Sequence, residues 1–178
     1  MTAAVFIDRD GTITHDIGYV HKIEDFKLLP NVVKGLRLLR DFKIFIVTNQ
    51  SGIGKDIFTL KDFFNYNKRV LAELKKYDIA IQKTYYCPHK PQDKCECRKP
   101  MPKLINDAAK EFDIDLSRSF MVGDKKIDLE MGRNAGCRSV LVLTGNGNKA
   151  RKEASPDFIA KDLLEAAKWI IKNDKNKI

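Results

Sequence analysis

Two aspartates, Asp8 and Asp10, directly follow a short apolar segment near the start of the chain. Residues two apart in an extended chain point to the same side, so both carboxylates can face one site. Gly11 then allows the backbone to turn sharply away. Two carboxylates this close repel each other and need a cation or a shared proton. Because Mg²⁺ prefers oxygen ligands, the pair predicts a magnesium site, with a simple acidic turn as the alternative.

A second acidic segment, Gly123 to Asp128, follows another predicted strand. If both segments lie at the same edge of a sheet, Asp124 can complete the cation site begun by the first pair. Asp128 is expected to support that site as an outer carboxylate, or in part to cap the following helix. A helix cap is also the alternative interpretation for the whole segment.

The end of another predicted strand carries side chains that can all donate hydrogen bonds, namely Thr48, Asn49, Gln50 and Ser51. They could hold phosphoryl oxygens, although a polar turn is an equally good local interpretation. Arg98 and Lys99 add two adjacent cations. Lysine serves a transferring phosphoryl group as a point charge, and arginine suits planar, bidentate phosphate contact. An exposed basic pair is the alternative for these two residues.

Four residues that commonly bind metals cluster in one short segment: Cys87, His89, Cys95 and Cys97. Three thiolates and one imidazole suit a tetrahedral structural Zn²⁺. Such a site has no open coordination position, so we expect it to fix residues 87–97 in place without taking part in chemistry. We call this segment the Cys/His loop. Buried free thiols are the alternative, and the isolated Cys137 is expected in the core.

The elements that must position these residues alternate between short apolar runs and helical patterns. Strands are predicted at residues 3–7, 43–47, 84–87, 120–122 and 140–143. Helices are predicted after the caps Asn31 and Thr59, from Pro102 to about Phe112, and over residues 127–134 and 163–171. This alternation predicts an α/β fold, in which helices flank a Rossmann-like parallel sheet. Residues 1–178 are expected to form a single domain, with Gly145 to Asn148 as a polar loop.

The composition gives a formal net charge of +9, which favours anionic partners such as phosphorylated metabolites, nucleic acid or acidic surfaces. No apolar run approaches the roughly 20 residues that span a bilayer, and no secretory signal is evident, so we predict a cytoplasmic location without membrane contact. The basic tail, Lys172 to Lys177, is expected to be a solvated or disordered end. A basic zinc-containing nucleic-acid module is a remote alternative, opposed by the ligand spacing and by the lack of a basic helix after the ligands.

In combination, these segments resemble the haloacid dehalogenase superfamily of phosphatases. Asp8-x-Asp10-Gly11-Thr12, Thr48, Lys99 and Gly123-Asp124-x-x-x-Asp128 occur in that family's order and span most of the chain. The Cys/His loop is similar to that of a subgroup containing heptose bisphosphate phosphatases and histidinol-phosphatases. The resemblance implies no large cap domain, a zinc-bound loop that shapes the pocket, a small phosphorylated substrate and a monomer.

The resemblance also implies roles for individual residues. Asp8 would be the nucleophile and Asp10 the general acid–base. Mg²⁺ would be held by Asp8, the backbone oxygen of Asp10, and Asp124. Thr48 and Lys99 would stabilise the transferring phosphoryl group. Substrate contacts would come from Asp16, Gly18, Tyr19, Asn49, Gln50, Ser51 and Arg98, and Lys125 would lend a backbone oxygen to the metal or a side-chain contact.

Within that subgroup, Gly18 to His21, Thr48 to Ile53 and Tyr85 to His89 are similar to the heptose enzymes. The gap of five residues between His89 and Cys95 is instead similar to histidinol-phosphatases. Gly54 to Asp56 also departs from the small-Arg-Gly pattern that is usual in heptose enzymes. The resemblance therefore implies hydrolysis of the C7 phosphate of D-glycero-D-manno-heptose 1,7-bisphosphate, with histidinol phosphate as the alternative substrate.

Overall fold

The computed structural model describes residues 1–174, and a six-stranded sheet lies at its centre. The strands are β1 (Ala4–Ile7), β2 (Lys43–Asn49), β3 (Ile81–Cys87), β4 (Phe120–Gly123), β5 (Arg138–Val142) and β6 (Phe158–Ala160). The helices are α1 (Val32–Leu38), α2 (Ser51–Gly54), α3 (Leu60–Lys75), α4 (Lys103–Phe112), α5 (Lys126–Ala135), α6 (Gly147–Ala150) and α7 (Leu163–Asn173). Every strand pairing is parallel, which confirms the predicted α/β fold.

The strand order is β3-β2-β1-β4-β5-β6, so the chain runs outward from β1 in one direction and then outward from β4 in the other. The order therefore reverses between the neighbouring strands β1 and β4. A crevice opens at such a reversal, outside the carboxyl ends of the strands, and ligands of open α/β sheets bind there. Asp8 follows β1 and Asp124 follows β4, so the fold brings the two acidic segments to this crevice.

Two apolar layers cover the sheet, and β1 contributes to both because its side chains alternate between the faces. Val5 and Ile7 belong to one buried cluster, which includes side chains of α1, α3 and α7. Ala4 and Phe6 belong to the other, which includes side chains of α4 and α5. A strand buried on both faces is continuously apolar, and this explains the pattern at the start of the chain. Cys137 lies in the second cluster, as expected.

The long connections at the carboxyl edge carry little regular structure. Residues 8–31, between β1 and α1, and residues 88–102, between β3 and α4, each contain one short 3-10 turn. No separate sheet or α-helix is inserted in either connection, so the described chain lacks a large cap domain, as predicted. None of the helices within residues 1–174 is long and apolar enough to cross a membrane.

The predictions for how individual helices begin were confirmed for α3 but were wrong for α1 and α4. The Thr59 hydroxyl accepts a hydrogen bond from the Asp62 backbone N–H and caps α3. The capping role of Asn31 was wrong, because its side chain donates to Asp162 at 2.8 Å instead of capping α1. Pro102 precedes α4 instead of lying in its first turn.

Three short elements were not predicted: α2, α6 and the edge strand β6. Helix α6 begins at Gly147, so the predicted polar loop extends only to Asn146. The basic tail was expected to be solvated, and Lys172 lies within α7. Its remaining part, beyond residue 174, lies outside the described residues.

Candidate active site

The side chain of Asp8 lies at the carboxyl end of β1 and is almost fully buried, with 5% of the residue exposed. Its backbone N–H donates to the carbonyl of Val122 at 2.9 Å, which continues the β1–β4 pairing beyond the strand. Lys99 donates from Nζ to Asp8 Oδ1 at 2.6 Å and to Asp128 Oδ1 at 2.8 Å. Burial raises the pKa of Asp8 to about 7, with Lys99 opposing this and Asp128 reinforcing it.

Asp124 faces Asp8 across the reversal of strand order and is fully buried. Its Oδ2 accepts hydrogen bonds from the backbone N–H of Asn146 at 2.7 Å and from the Asn146 side chain at 3.2 Å. A Cβ on either Gly11 or Gly145 would lie 2.3 Å from the same oxygen, so both glycines are needed for this approach. Burial, reinforced by Asp128, raises the pKa of Asp124 despite the nearby Lys125.

Asp8, Asp124 and Asp128 form what we call the carboxylate cluster, in which one oxygen of each lies within 4.8 Å of the others. Three buried carboxylates at this spacing repel one another, and the Lys99 ammonium directly contacts two of them, Asp8 and Asp128. Asp124 Oδ1 is buried without a hydrogen-bond partner. Because every atom that the cluster offers to a metal is a carboxylate oxygen, the cluster fits a hard divalent cation such as Mg²⁺. Asp128 also accepts from the Lys125 backbone N–H at 2.9 Å, so its predicted partial capping role is confirmed.

The carboxylate of Asp10 lies beside this cluster but is bound by another set of side chains. Arg9 holds it in a bidentate pair, with Nε donating to Oδ1 at 2.8 Å and Nη2 to Oδ2 at 2.9 Å. Gln50 donates to Oδ2 at 2.9 Å. Burial alone would raise the pKa of Asp10, but the Arg9 charge and these hydrogen bonds outweigh it and lower the pKa. Asp10 is therefore ionised at neutral pH in this state.

A pocket of about 330 Å³ opens above the two aspartates. The predicted site residues that line it are Asp8, Asp10, Asp16, Gly18, Tyr19, Thr48, Asn49, Gln50, Ser51, Lys99, Lys125 and Asp128. The lining also includes Gly52, Phe58 and Ile127, which sequence reasoning had not assigned to the site. A cavity of this size, polar and centred on buried carboxylates, suits a small polar ligand.

Thr48, Asn49 and Gln50 form the wall of this pocket on the side of β2. The Thr48 hydroxyl oxygen accepts from Gln50 Nε2 at 2.8 Å, which leaves its own hydrogen free to donate. Asn49 Oδ1 accepts from the Lys99 backbone N–H at 3.1 Å, and Asn49 Nδ2 is buried without a partner. Donors that are fixed in this way suit an oxyanion.

The opposite wall is formed by the loop over residues 16–19. Asp16 accepts from Lys125 Nζ at 3.0 Å and from the Gly18 backbone N–H at 2.9 Å. This ion pair joins the loop to the start of α5. Carboxylates surround Lys125 and outweigh its burial, so its pKa is raised and it carries a positive charge at neutral pH.

The Cys/His loop brings its four predicted ligands together, with one ligand atom of each within 4.8 Å of the others. The Sγ atoms of Cys87 and Cys95 are 3.5 Å apart, and those of Cys95 and Cys97 are 3.6 Å apart. In a tetrahedral site with Zn–S bonds of about 2.3 Å, neighbouring sulfurs lie about 3.8 Å apart. Burial alone would raise the pKa of Cys95, but hydrogen bonds from the Cys87 and Cys97 thiols and from backbone N–H groups together outweigh it and lower the pKa to about 7. The geometry and the donor set therefore fit zinc.

This loop contacts both the pocket wall and the lysine of the carboxylate cluster. Gly54, the last residue of α2, donates from its backbone N–H to the Pro88 carbonyl at 2.9 Å. Lys99 follows the last cysteine of the loop by only two residues. Arg98, predicted to contact the substrate, donates to the His89 carbonyl at 3.1 Å and is not among the residues that line the pocket.

Sequence reasoning missed two residues that organise the site. Arg9 is fully buried, and its guanidinium lies 4.7 Å from the ring centre of Tyr66. The position of Arg9 between two aspartates is visible in the sequence, but the sequence does not show which aspartate it pairs with. Asn146 follows β5, so the rule that ligands bind at strand ends would have nominated it.

Comparison with known proteins agrees with this geometry. The HAD-hydrolase-like family profile matches residues 96–166. A D-glycero-beta-D-manno-heptose-1,7-bisphosphate 7-phosphatase of Haemophilus ducreyi is 38% identical, over 94% of this chain and 97% of its own. A D-glycero-alpha-D-manno-heptose-1,7-bisphosphate 7-phosphatase of Campylobacter jejuni is also 38% identical, over 97% of this chain and 98% of its own.

Among solved structures, the D,D-heptose 1,7-bisphosphate phosphatase from B. bronchiseptica, complexed with magnesium and phosphate, superposes with a TM-score of 0.89. It is 28% identical, and the match covers 96% of this chain and 98% of that one. Both the sequence and the structural matches are nearly full length. The chain thus belongs to the haloacid dehalogenase-like hydrolases, within the family of the heptose-1,7-bisphosphate 7-phosphatases.

Proposed function

We propose that this protein is a magnesium-dependent phosphatase that removes the C7 phosphate of D-glycero-D-manno-heptose 1,7-bisphosphate. The observation that carries the proposal is the buried carboxylate cluster with Lys99, which lies at the floor of a small polar pocket. Relatives that match over nearly their whole length carry this activity in their names. Together these findings favour a phosphoric monoester hydrolase over a nucleic-acid-binding module.

Asp8 is the proposed nucleophile. Its oxygen attacks phosphorus, the bond from phosphorus to the sugar oxygen breaks, and an aspartyl-phosphate forms. Covalent catalysis of this kind divides one difficult step into two easier ones. Lys99 supports the assignment, because its pKa is raised by Asp128 and Asp8 in spite of burial, so it remains charged beside the reacting oxygens.

Asp10 is the proposed general acid and base. In the first step it donates a proton to the leaving sugar oxygen, and in the second it takes a proton from the water that attacks the aspartyl-phosphate. Arg9 and Gln50 favour the ionised form of Asp10, which suits the second step. A phosphate dianion in the pocket raises the proton affinity of a neighbouring carboxylate, which suits the first. Such catalysis contributes on the order of 10²–10⁴-fold.

Two metals are part of the proposal. Asp8, Asp124 and the backbone oxygen of Asp10 would hold Mg²⁺, whose charge would shield the nucleophile from the anionic phosphate. The backbone oxygen of Lys125 is a further proposed ligand, and Asp128 supports the site. Zn²⁺, held by Cys87, His89, Cys95 and Cys97, would be structural.

The remaining pocket residues are proposed to bind the phosphoryl group and the sugar. The Thr48 hydroxyl and Lys99 would stabilise the equatorial phosphoryl oxygens, and the free amide hydrogens of Asn49 would donate to the substrate. Asp16, Gly18, Tyr19, Gln50, Ser51 and Lys125 line the same cavity and are the proposed sugar contacts. Arg98 keeps one guanidinium nitrogen on the His89 carbonyl, and its remaining N–H groups are the proposed substrate contacts.

The decisive experiment measures kcat/KM for both anomers of heptose 1,7-bisphosphate and for histidinol phosphate, with Mg²⁺ present. The proposal expects a preference for one heptose anomer, with phosphate released from C7. The short gap between His89 and Cys95 is the one feature that favours histidinol phosphate. A higher kcat/KM for histidinol phosphate would overturn the choice of substrate.

A further inference from the structure

Lys55 differs from the other lysines near the pocket in its lack of an acidic partner. Lys99 contacts Asp8 and Asp128, and Lys125 contacts Asp16. Lys55 is exposed, and among residues 1–174 no carboxylate oxygen lies within 4.0 Å of its ammonium group. Its charge is therefore available to an anionic ligand, whereas Lys99 and Lys125 inside the pocket are already paired with carboxylates.

The Lys55 side chain contacts a residue that lines the pocket. Its Nζ donates a hydrogen bond to the Tyr19 hydroxyl oxygen at 2.7 Å and lies 5.3 Å from the centre of the Tyr19 ring. Because the lysine is the donor, the tyrosine keeps its own hydroxyl hydrogen, which can point to another acceptor. The pair thus offers one ammonium and one hydroxyl donor at the rim of the pocket.

The backbone holds both partners in place. Lys55 closes α2 through a hydrogen bond from its N–H to the Ser51 carbonyl at 3.1 Å, and the preceding Gly54 is bound to the Cys/His loop. Tyr19 has a left-handed backbone, with φ of 49°, which is uncommon for a residue other than glycine. Its carbonyl contacts His21 Nδ1 at 2.6 Å, and the His21 ring stacks on Phe58 at 4.8 Å.

We propose that Lys55 and the Tyr19 hydroxyl form a binding subsite for a second anionic group of the substrate, the phosphate that is not hydrolysed. This inference rests on the proposed function, because it assigns the distal phosphate of a sugar bisphosphate to the rim of the same pocket. Lysine is suited to the task, since its compact ammonium group binds phosphate as a point charge from several directions. A monophosphate that places its only phosphate at Asp8 gains nothing from this subsite.

The test compares Lys55→Met and Tyr19→Phe with the wild-type protein and with Lys68→Met. Lys68 is an exposed lysine of α3 that does not line the pocket, so its replacement removes the same charge elsewhere. For each protein, kcat/KM is measured for heptose 1,7-bisphosphate and heptose 7-phosphate, which share the reacting phosphate. The ratio of the two values is the selectivity for the second phosphate.

Loss of a charge-assisted hydrogen bond changes binding by about tenfold or more. We therefore expect Lys55→Met to lower the selectivity ratio about tenfold, mainly through KM for the bisphosphate, and Tyr19→Phe to lower it less. The ratio should also fall with added salt in the wild-type protein but only weakly in Lys55→Met. An unchanged ratio in Lys55→Met, or an equal change in Lys68→Met, would overturn the subsite.

A second measurement separates this inference from the choice of substrate. If the wild-type protein hydrolyses neither heptose phosphate, the proposed function fails. The subsite is then tested by inhibition of 4-nitrophenyl phosphate hydrolysis, with fructose 1,6-bisphosphate compared with fructose 6-phosphate. Tighter inhibition by the bisphosphate that is lost in Lys55→Met supports the subsite. Equal inhibition by both compounds in the wild-type protein refutes it.

Discussion

The carboxylate cluster and the Cys/His loop both fit a metal, yet they are built in opposite ways. Asp8 and Asp124 are buried just beyond two neighbouring strands, Asp128 is buried in the first turn of α5, and Lys99 reaches Asp8 across 91 positions of sequence. The four ligands of the Cys/His loop lie within residues 87–97, and His89 is exposed. The sheet positions the carboxylate cluster, and Lys99 already compensates part of the negative charge of the cluster. The Cys/His loop is proposed to depend on a bound zinc, because so short a polar loop buries little apolar surface.

The largest expected effect comes from Asp8→Asn, which removes the proposed nucleophile. We expect kcat to fall by at least about 10³-fold, as for other nucleophile replacements. The asparagine still accepts from Lys99, and a buried charge is lost, so the thermal unfolding midpoint should not fall. Phosphate release and thermal melting measure the two properties. Activity close to that of the wild-type protein would contradict the nucleophile assignment.

Removal of zinc tests the other region. The purified protein should contain one zinc per chain, and a chelator that removes it should lower kcat about tenfold or more, because Lys99 is anchored next to the loop. Hydrogen exchange should increase in residues 87–97 but not in β1 or β4. Cys97→Ser should reproduce the effect. Metal analysis that finds no zinc in the fresh protein would refute this prediction.

A smaller effect is expected from pH in the metal-free protein. The pKa of Asp8 rises from its ordinary value of 3.8 to about 7 on folding, so between these values the folded state binds more protons than the unfolded state. Stability therefore falls as pH rises from about 4 through 7. Between pH 5 and pH 7.5 the loss attributable to Asp8 should be on the order of 2–3 kcal/mol.

Urea unfolding at pH 5 and pH 7.5 checks this, with Asp8→Asn as the matched control. The difference between the two proteins isolates Asp8 from the other titrating groups. Added Mg²⁺ should reduce the slope, because the cation stabilises the ionised carboxylates. A wild-type slope identical to that of the variant would contradict the prediction.

The smallest expected effect sharpens the link between the two regions. A Cβ at Gly54 would lie 2.8 Å from the Pro88 carbonyl oxygen, so Gly54→Ala should displace the Cys/His loop from α2. We expect a loss of about 1 kcal/mol in stability and a several-fold fall in kcat. Gly35→Ala is the control, because its Cβ would lie 2.7 Å from the Leu163 carbonyl, at the α1–α7 contact. Equal loss of activity in the two variants would show that the loop contact has no specific role.

The sequence predictions succeeded where the interacting residues are close together in the chain or follow a clear local pattern. The Thr59 cap was predictable because its partner is three residues away, and the Cys/His ligands because they are close in sequence. The positions of Asp8 and Asp10 were predictable because these two acids and Gly11 directly follow the apolar segment of β1. The edge strand β6 was missed because it has only three residues, of which one is buried.

The sequence by itself determined which residues could bind a metal or phosphate, because side-chain chemistry and short-range spacing are both written in it. Only the tertiary structure decided that Arg9 pairs with Asp10, that Asn146 binds Asp124 and that Lys55 reaches Tyr19. These contacts depend on the strand order and on the paths of the loops that follow the strands. The physical reason is that periodicity identifies a strand, whereas its neighbours are chosen by packing of the whole core.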